Sequence, residues 1–172
     1  MRIRALIGAA AALALVGQAL AAVPPSGPET PPVNLDVILR DVAGGPGFAQ
    51  VEFRQPNSGQ RPNRGRGRDA DKIIYLNTSV RGLGPTHAYL LQRAVDTNLD
   101  GQCTSTAWLT LGKGLTGQTI TTDEHGMARE LLFRDVSAIP TGTQFDIHFQ
   151  LIDAGTGMSV LTSGCYSFTV GQ

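Results

Sequence analysis

A short run of residues in the middle of the chain has the composition and spacing of a cation-binding loop. Asp96, Asn98 and Asp100 occupy alternate positions, and Gly101 follows directly. This D-x-N-x-D-G pattern supplies three oxygen-bearing side chains and a sharp turn, as in the first half of a calcium-binding loop. Ca²⁺ takes about six to eight oxygen ligands, and the backbone carbonyl of the next residue, Gln102, is a further one. The pattern therefore predicts a calcium ion that stiffens this loop.

The calcium pattern is incomplete, so a second interpretation stays open. A loop of EF-hand type carries a bidentate Glu at its twelfth position, where this chain has Ala107. Asp123 or Asp153, from another loop, is the candidate replacement. The alternative is a turn in which Asp and Asn side chains bond to nearby backbone, held by the adjacent Cys103.

A second feature is the basic segment, which we define as residues 54–72. It contains six basic and two acidic residues, and its centre carries Arg61, Arg64, Arg66 and Arg68. One interpretation is a loop that binds a polyanionic envelope component, and the other is a solvated connection between strands. No aromatic side chain interleaves these arginines, and the whole chain has 14 basic and 14 acidic residues. Dedicated nucleic-acid binding is therefore not expected.

Asp146 and His148 are the candidate catalytic residues. The odd positions of residues 145–151 are apolar, so Asp146, His148 and Gln150 share the polar face of a predicted strand. A metal-dependent secreted enzyme could use the first two, whereas a polar row on the surface of a strand is the competing interpretation. The chain contains no His-x-His, HExxH or G-x-S-x-G pattern. Their absence favours a non-catalytic protein.

The N-terminus predicts export. Residues 1–22 combine Arg2 and Arg4 with a charge-free apolar run and a small-x-small pattern, as in a cleaved signal peptide. Residues 23–32 form a Pro-rich leader, and residues 33–172 are the predicted folded domain. Loss of the signal changes the formal net charge from zero to −2. The expected location is periplasmic or extracellular, and no membrane-spanning segment is expected in the mature chain.

Cys103 and Cys165 are the only cysteines in the chain. An even number of cysteines in an exported protein predicts a structural disulfide. Such a bridge would close a loop of about 62 residues and stabilise the fold by about 4 kcal/mol in the chain-entropy description. Neither cysteine lies in a CxxC pair, which argues against a metal or a catalytic thiol.

Alternation of apolar and polar residues, with turn residues between the runs, predicts an all-β fold. We expect eight or nine short strands, which is typical of an antiparallel β-sandwich. The predicted runs are residues 33–39, 49–53, 73–80, 88–95, 106–111, 118–122, 128–133, 145–152 and 166–170.

One local pattern resembles the tyrosine corner of fibronectin type III and immunoglobulin-like domains. Leu83, Pro85 and Tyr89 have its spacing, although His87 stands where those domains have Thr. The Cys-Trp-Cys order of immunoglobulin domains is altered, because the single Trp closely follows the first Cys. The resemblance implies an immunoglobulin-like sandwich in which Tyr89 buries its ring and bonds its hydroxyl to nearby backbone.

These observations favour an exported, non-catalytic β-sandwich that serves as a binding or structural module of the envelope, with calcium as a stabilising ion. Loops at one end, the basic segment and residues 96–103, are the predicted recognition surface. The partner is a polyanionic envelope component or a protein. The alternative is a metal-dependent secreted enzyme that uses His148 and Asp146, and a third hypothesis is an assembly component that pairs through strand edges.

Overall fold

The structure, a computed structural model, describes residues 34–55 and 72–171. These residues form twelve β-strands and contain no helix. The strands are β1 (Leu35–Asp41), β2 (Phe48–Arg54), β3 (Ile73–Arg81), β4 (Ala88–Asp96), β5 (Leu109–Thr110), β6 (Gly112–Lys113), β7 (Thr116–Gly117), β8 (Thr119–Thr121), β9 (Ala128–Asp135), β10 (Gln144–Asp153), β11 (Ser159–Ser163) and β12 (Tyr166–Thr169).

All twelve strands belong to one sheet that nearly closes on itself. Its order is β5-β4-β10-β11-β1-β2-β3-β9-β6-β7, with β12 beside β10 and β8 beside β4. Strand β5 begins this order and β6 lies near its other end, yet only Leu111 separates them in the chain. The two ends of the sheet are therefore joined within a few residues. The prediction of an all-β fold is confirmed.

The number of strands differs from the eight or nine that were predicted, for a local reason. Eight strands have four or more residues, and β5 to β8 have only two or three. Among these four short strands, β5 and β8 each pair with β4. Strand β6 pairs with β9 in parallel, at Lys113 and Phe133. Strand β11 was not predicted. Its run, Ser159–Ser163, mixes serine and threonine with only two apolar residues.

The core lies inside the curled sheet. In β2 and β3 every second side chain is buried, as the alternation predicted. The ring of Phe53 packs edge-on against Phe149 and Phe168, with centroid distances of 6.1 and 4.7 Å. Each fully buried large apolar side chain contributes roughly 1.5–3 kcal/mol. A one-residue slip of a strand would expose this set, so burial determines the register.

Along the strand direction, the curled sheet has two ends, and these ends differ in how the strands are connected. At one end, which we call the turn end, residues 42–47, 82–87, 122–127 and 154–158 link successive strands, and backbone hydrogen bonds join neighbouring turns. The opposite end, the loop end, contains Gln55, Lys72 and Asp96 and the connection from β9 to β10. The antiparallel registers bring the described residues of the basic segment and the start of residues 96–103 to this second end.

Tyr89 has the burial and the hydroxyl contact that were predicted for it. Tyr89 is only 4% exposed, and its hydroxyl accepts a hydrogen bond from the backbone N–H of Gly84 at 3.0 Å. The buried hydroxyl of Thr122 donates to the carbonyl of Gly84 at 2.6 Å and accepts from the N–H of His87 at 3.0 Å. These bonds fix the turn between β3 and β4 to the end of β8.

Candidate functional site

Residues 97–108, which we call the strap, lie across the outer face of β4 and β10. The strap follows β4 and is bonded to side chains that point outward from β10. Ala94 and Asp146 also point outward, by register, yet both are completely buried. The predicted strand 106–111 is therefore reduced to Leu109–Thr110, because the residues before it cover the sheet instead of extending its edge.

Asp146 is a buried anchor for the strap. Its Oδ2 atom accepts a hydrogen bond from the N–H of Gly101 at 2.8 Å, and its Oδ1 atom accepts one from the hydroxyl of Ser167 at 2.6 Å. A buried carboxylate is stable only when such donors replace its lost hydration. Asp146 is thus the carboxylate that reaches the D-x-N-x-D-G loop, whereas Asp123 and Asp153 lie at the turn end.

The other oxygens of the predicted calcium loop bond within the strap. Asp96 accepts hydrogen bonds from the N–H groups of Thr104 and Ser105, both at 3.1 Å. Asp100 accepts one from the N–H of Gln102 at 2.9 Å and one from the side-chain amide of Asn98 at 2.6 Å. These are the turn contacts that the second interpretation predicted.

A calcium ion at this loop would compete with those donors for the same oxygens. Within the residues that the structure describes, no group of three or more His, Cys, Asp or Glu side chains is arranged to hold a metal. Asn98 and backbone carbonyls, which calcium also uses, are outside that set of residue types. The calcium site at Asp96, Asn98, Asp100 and Gln102 therefore stays a prediction.

His148 is the second anchor of the strap. Its Nε2 atom lies 3.0 Å from the carbonyl oxygen of Ser105, and its ring is 4.6 Å from the ring of Trp108. A carbonyl only accepts hydrogen bonds, so Nε2 must carry a proton in this arrangement. The nitrogen that faces the strap is consequently not a lone-pair ligand for a metal. Asp146 and His148 do share a face, as predicted, but both hold the strap.

The disulfide fastens the middle of the strap. Cys103 and Cys165 are bonded, with their Cα atoms 5.3 Å apart, as predicted. Cys165 lies directly before β12, at the point where the pairing of β10 passes from β11 to β12. The strap is thus held by a covalent bond and by two buried or half-buried side chains of β10. Sequence reasoning identified the cysteines but missed Trp108 and Ser167, because only the tertiary structure brings Trp108 to His148 and Ser167 to Asp146.

Polar contacts continue along the same face toward β5. The side-chain amide of Gln150 donates to Gln92 at 2.8 Å, and the amide of Gln92 donates to the hydroxyl of Thr110 at 3.0 Å. Gln150 therefore does lie on the polar face predicted for this strand. The polar face of β10 thus extends from the buried carboxylate of Asp146 to the half-buried amide of Gln150. Side chains or backbone groups of neighbouring segments supply the hydrogen-bond partners.

The residues that flank the centre of the basic segment are fixed at the loop end. Gln55 accepts a hydrogen bond from the N–H of Gly171 at 3.1 Å, and the ammonium of Lys72 donates to the carbonyl of Ile139 at 3.0 Å. Arg54 pairs with Asp36, with Nη2 and Oδ1 2.5 Å apart. Two of the six cations in the basic segment therefore have partners within the fold. The central arginines, at positions 61, 64, 66 and 68, lie outside the described residues.

Comparison with known proteins assigns neither a family nor a related structure to this chain. No protein-family model matches the chain, and no match was found among curated proteins or among solved structures. The described residues include no helix with the length and apolar character needed to cross a membrane. What the fold and the site define is a class: a disulfide-bonded, nearly closed β-sheet with a strap across one outer face.

Proposed function

We propose that this protein is an exported, non-catalytic binding or structural module of the cell envelope, which meets a polyanionic component through its loop end. The observation that carries the proposal is the position of Gln55, Lys72 and Asp96 at one end of a rigid sheet. The basic segment and the start of the strap thereby emerge from the same end. Loops that are held by rigid strands are a common basis for recognition.

Export is supported by the signal-peptide pattern of residues 1–22 and by the bond between Cys103 and Cys165, which is typical of oxidising compartments. The immunoglobulin-like sandwich stays a prediction that rests on the tyrosine-corner contacts. Calcium is proposed as a stabilising ion of the loop that contains Asp96 and Asp100.

The non-catalytic character is supported by the positions of Asp146 and His148. The metal-dependent enzyme requires both side chains to face a substrate, whereas both bond to the strap. A direct test is the metal content of the purified, untagged chain. We expect less than one equivalent of transition metal, and one equivalent that is lost in His148→Ala would favour the enzyme instead.

The binding proposal is tested by replacing the four central arginines, at positions 61, 64, 66 and 68, with glutamine. The probe is a heparin hexasaccharide, and its affinity is measured by calorimetry at several salt concentrations. We expect affinity to fall about tenfold or more and the salt dependence to weaken, because fewer ions are released on binding. Lys113→Gln is the matched control, since Lys113 pairs with Glu130 at 2.8 Å. Unchanged affinity in the four-arginine variant would contradict the proposal.

A further inference from the structure

A groove on the outer face of β2, β3 and β9 has a composition unlike that of the strap. Phe48 and Gln50 of β2, Ser79 and Arg81 of β3, and Arg129 of β9 point outward by register. Together with Met127 they line a groove of about 500 Å³, which we call the arginine groove. A volume of this size accommodates a small organic ligand or one or two sugar units.

The guanidinium group of Arg81 is positioned at this groove by an aromatic ring and not by an ion pair. The Cζ atom of Arg81 lies 4.5 Å from the centre of the Phe48 ring, and that of Arg40 lies 5.9 Å from it. Among the residues that the structure describes, neither Arg40 nor Arg81 forms a salt bridge with a carboxylate. Stacking on an aromatic ring orients a guanidinium and leaves its N–H groups available to another acceptor.

Arg129 is positioned by a different route. Its Nε–H group donates to the side-chain oxygen of Asn77 at 3.1 Å, and the amide of Asn77 donates to Glu52 at 2.9 Å. This relay holds the guanidinium through Nε, and the two terminal amino groups can still bind an acceptor. Arg129 pairs with Ser79 in the register, so it lies diagonally across from Arg81. Both arginines line the same groove.

Asp123 also lines the groove, and its carboxylate is bonded within a turn. Asp123 accepts hydrogen bonds from the N–H groups of His125 and Met127, both at 2.9 Å. The bond from Met127 is the main reason that the pKa of Asp123 is lowered. Its carboxylate therefore belongs to the turn between β8 and β9, and it does not neutralise the two guanidinium groups by direct pairing.

We propose that the arginine groove binds the oxyanion group of an organic ligand, a phosphate or a sulfate ester, between Arg81 and Arg129. The planar fork of arginine matches two oxygens of such a group, and the amide of Gln50 and the hydroxyl of Ser79 add neutral donors. Phe48 and Met127 provide apolar surface for the organic part of the ligand. The paired strands set the positions of the backbone atoms that carry these side chains. This site is separate from the basic segment.

The test uses the purified chain with two probes, inorganic phosphate and a heparin hexasaccharide. Arginine side-chain resonances are followed by nuclear magnetic resonance, and affinity is measured by calorimetry. We expect shifts at Arg81 and Arg129 with the hexasaccharide, and about a tenfold loss of affinity in the variant Arg81→Gln/Arg129→Gln. If phosphate also shifts both arginines, the oxyanion alone suffices. If only the hexasaccharide does, the ligand is an ester.

The matched control is Lys113→Gln, because Lys113 lies outside the groove and is paired with Glu130. We expect its affinity to stay within twofold of the unmodified chain. The same experiments in the variant that lacks the four central arginines separate this site from the basic segment, because the shifts at Arg81 and Arg129 persist there. Equal losses in Lys113→Gln and in the double variant, or no shift at either groove arginine, would overturn the proposal.

Discussion

The Nε2 atom of His87 lies 2.5 Å from the Oδ2 atom of Asp153, across the gap between the turn that follows β3 and the turn that follows β10. The Oδ1 atom of Asp153 also accepts hydrogen bonds from the N–H groups of Gly155 and Thr156, both at 2.8 Å. One carboxylate thus organises its own turn and joins it to a neighbouring one. The turn end owes part of its rigidity to this residue.

The first prediction concerns acid. The N–H of Thr156, followed by the His87 side chain, lowers the pKa of Asp153 from 3.8 to about 2. A lowered pKa in the folded state means that the carboxylate stabilises the fold above pH 3.8 and that this contribution is lost as the pH falls toward 2. We expect the melting temperature of Asp153→Asn to be less sensitive to pH across this window. If the melting temperatures of both proteins fell by the same amount between pH 5 and pH 2, this prediction would be wrong.

The second prediction concerns the disulfide. Replacing Cys103 and Cys165 with serine removes the covalent attachment of the strap and should lower the free energy of unfolding by about 2–5 kcal/mol. Urea denaturation measures this loss. Hydrogen exchange at Gly101 should accelerate more than exchange at Leu91, a buried residue of β4. Equal acceleration at both positions would mean that the bond does not act on the strap in particular.

The third prediction concerns the buried anchor. Asp146→Ala leaves the N–H of Gly101 and the hydroxyl of Ser167 without their acceptor, which should destabilise the fold by about 1–3 kcal/mol. Asp146→Asn keeps one acceptor oxygen and the shape of the side chain, so its loss should be smaller. Chemical denaturation of both variants checks the order. Thr162→Ala, an exposed position in β11, is the control and should change stability little.

The fourth prediction concerns the tyrosine corner. Tyr89→Phe retains the buried ring but removes the acceptor for the N–H of Gly84, at a cost of about 1 kcal/mol. Tyr166→Phe is the comparison, because its hydroxyl accepts from the N–H of Ile38 at 3.1 Å on a half-buried strand. We expect the Tyr89 variant to melt at the lower temperature. The reverse order would show that the corner does not stabilise the turn.

The fifth prediction tests the calcium hypothesis. Addition of calcium should raise the melting temperature, chelator should reverse that change, and Asp100→Asn should weaken the response. Asp135→Asn serves as the control, since Asp135 bonds to Ser137 in a different connection. A melting temperature that does not respond to calcium or chelator would remove the ion from the proposed function.

Several properties could be predicted from the sequence because they depend on local order along the chain. Alternating burial in β2 and β3 and the Tyr89 contact both follow from short-range patterns. The pairing of Cys103 with Cys165 followed from their number, from the predicted export and from the absence of a CxxC pair. Each of these inferences needs only a few neighbouring residues or a count.

The closure of the sheet, the strap and the arginine groove were decided by tertiary structure. Asp146 was expected on a polar strand face, but the register of β10 against β4 and β12 brings Gly101 and Ser167 to its two oxygens. Arg81 and Arg129 are 48 positions apart, and only the pairing of β3 with β9 places them together. Contacts between distant segments depend on which strands pair, and alternation along one strand specifies a face but not its neighbour.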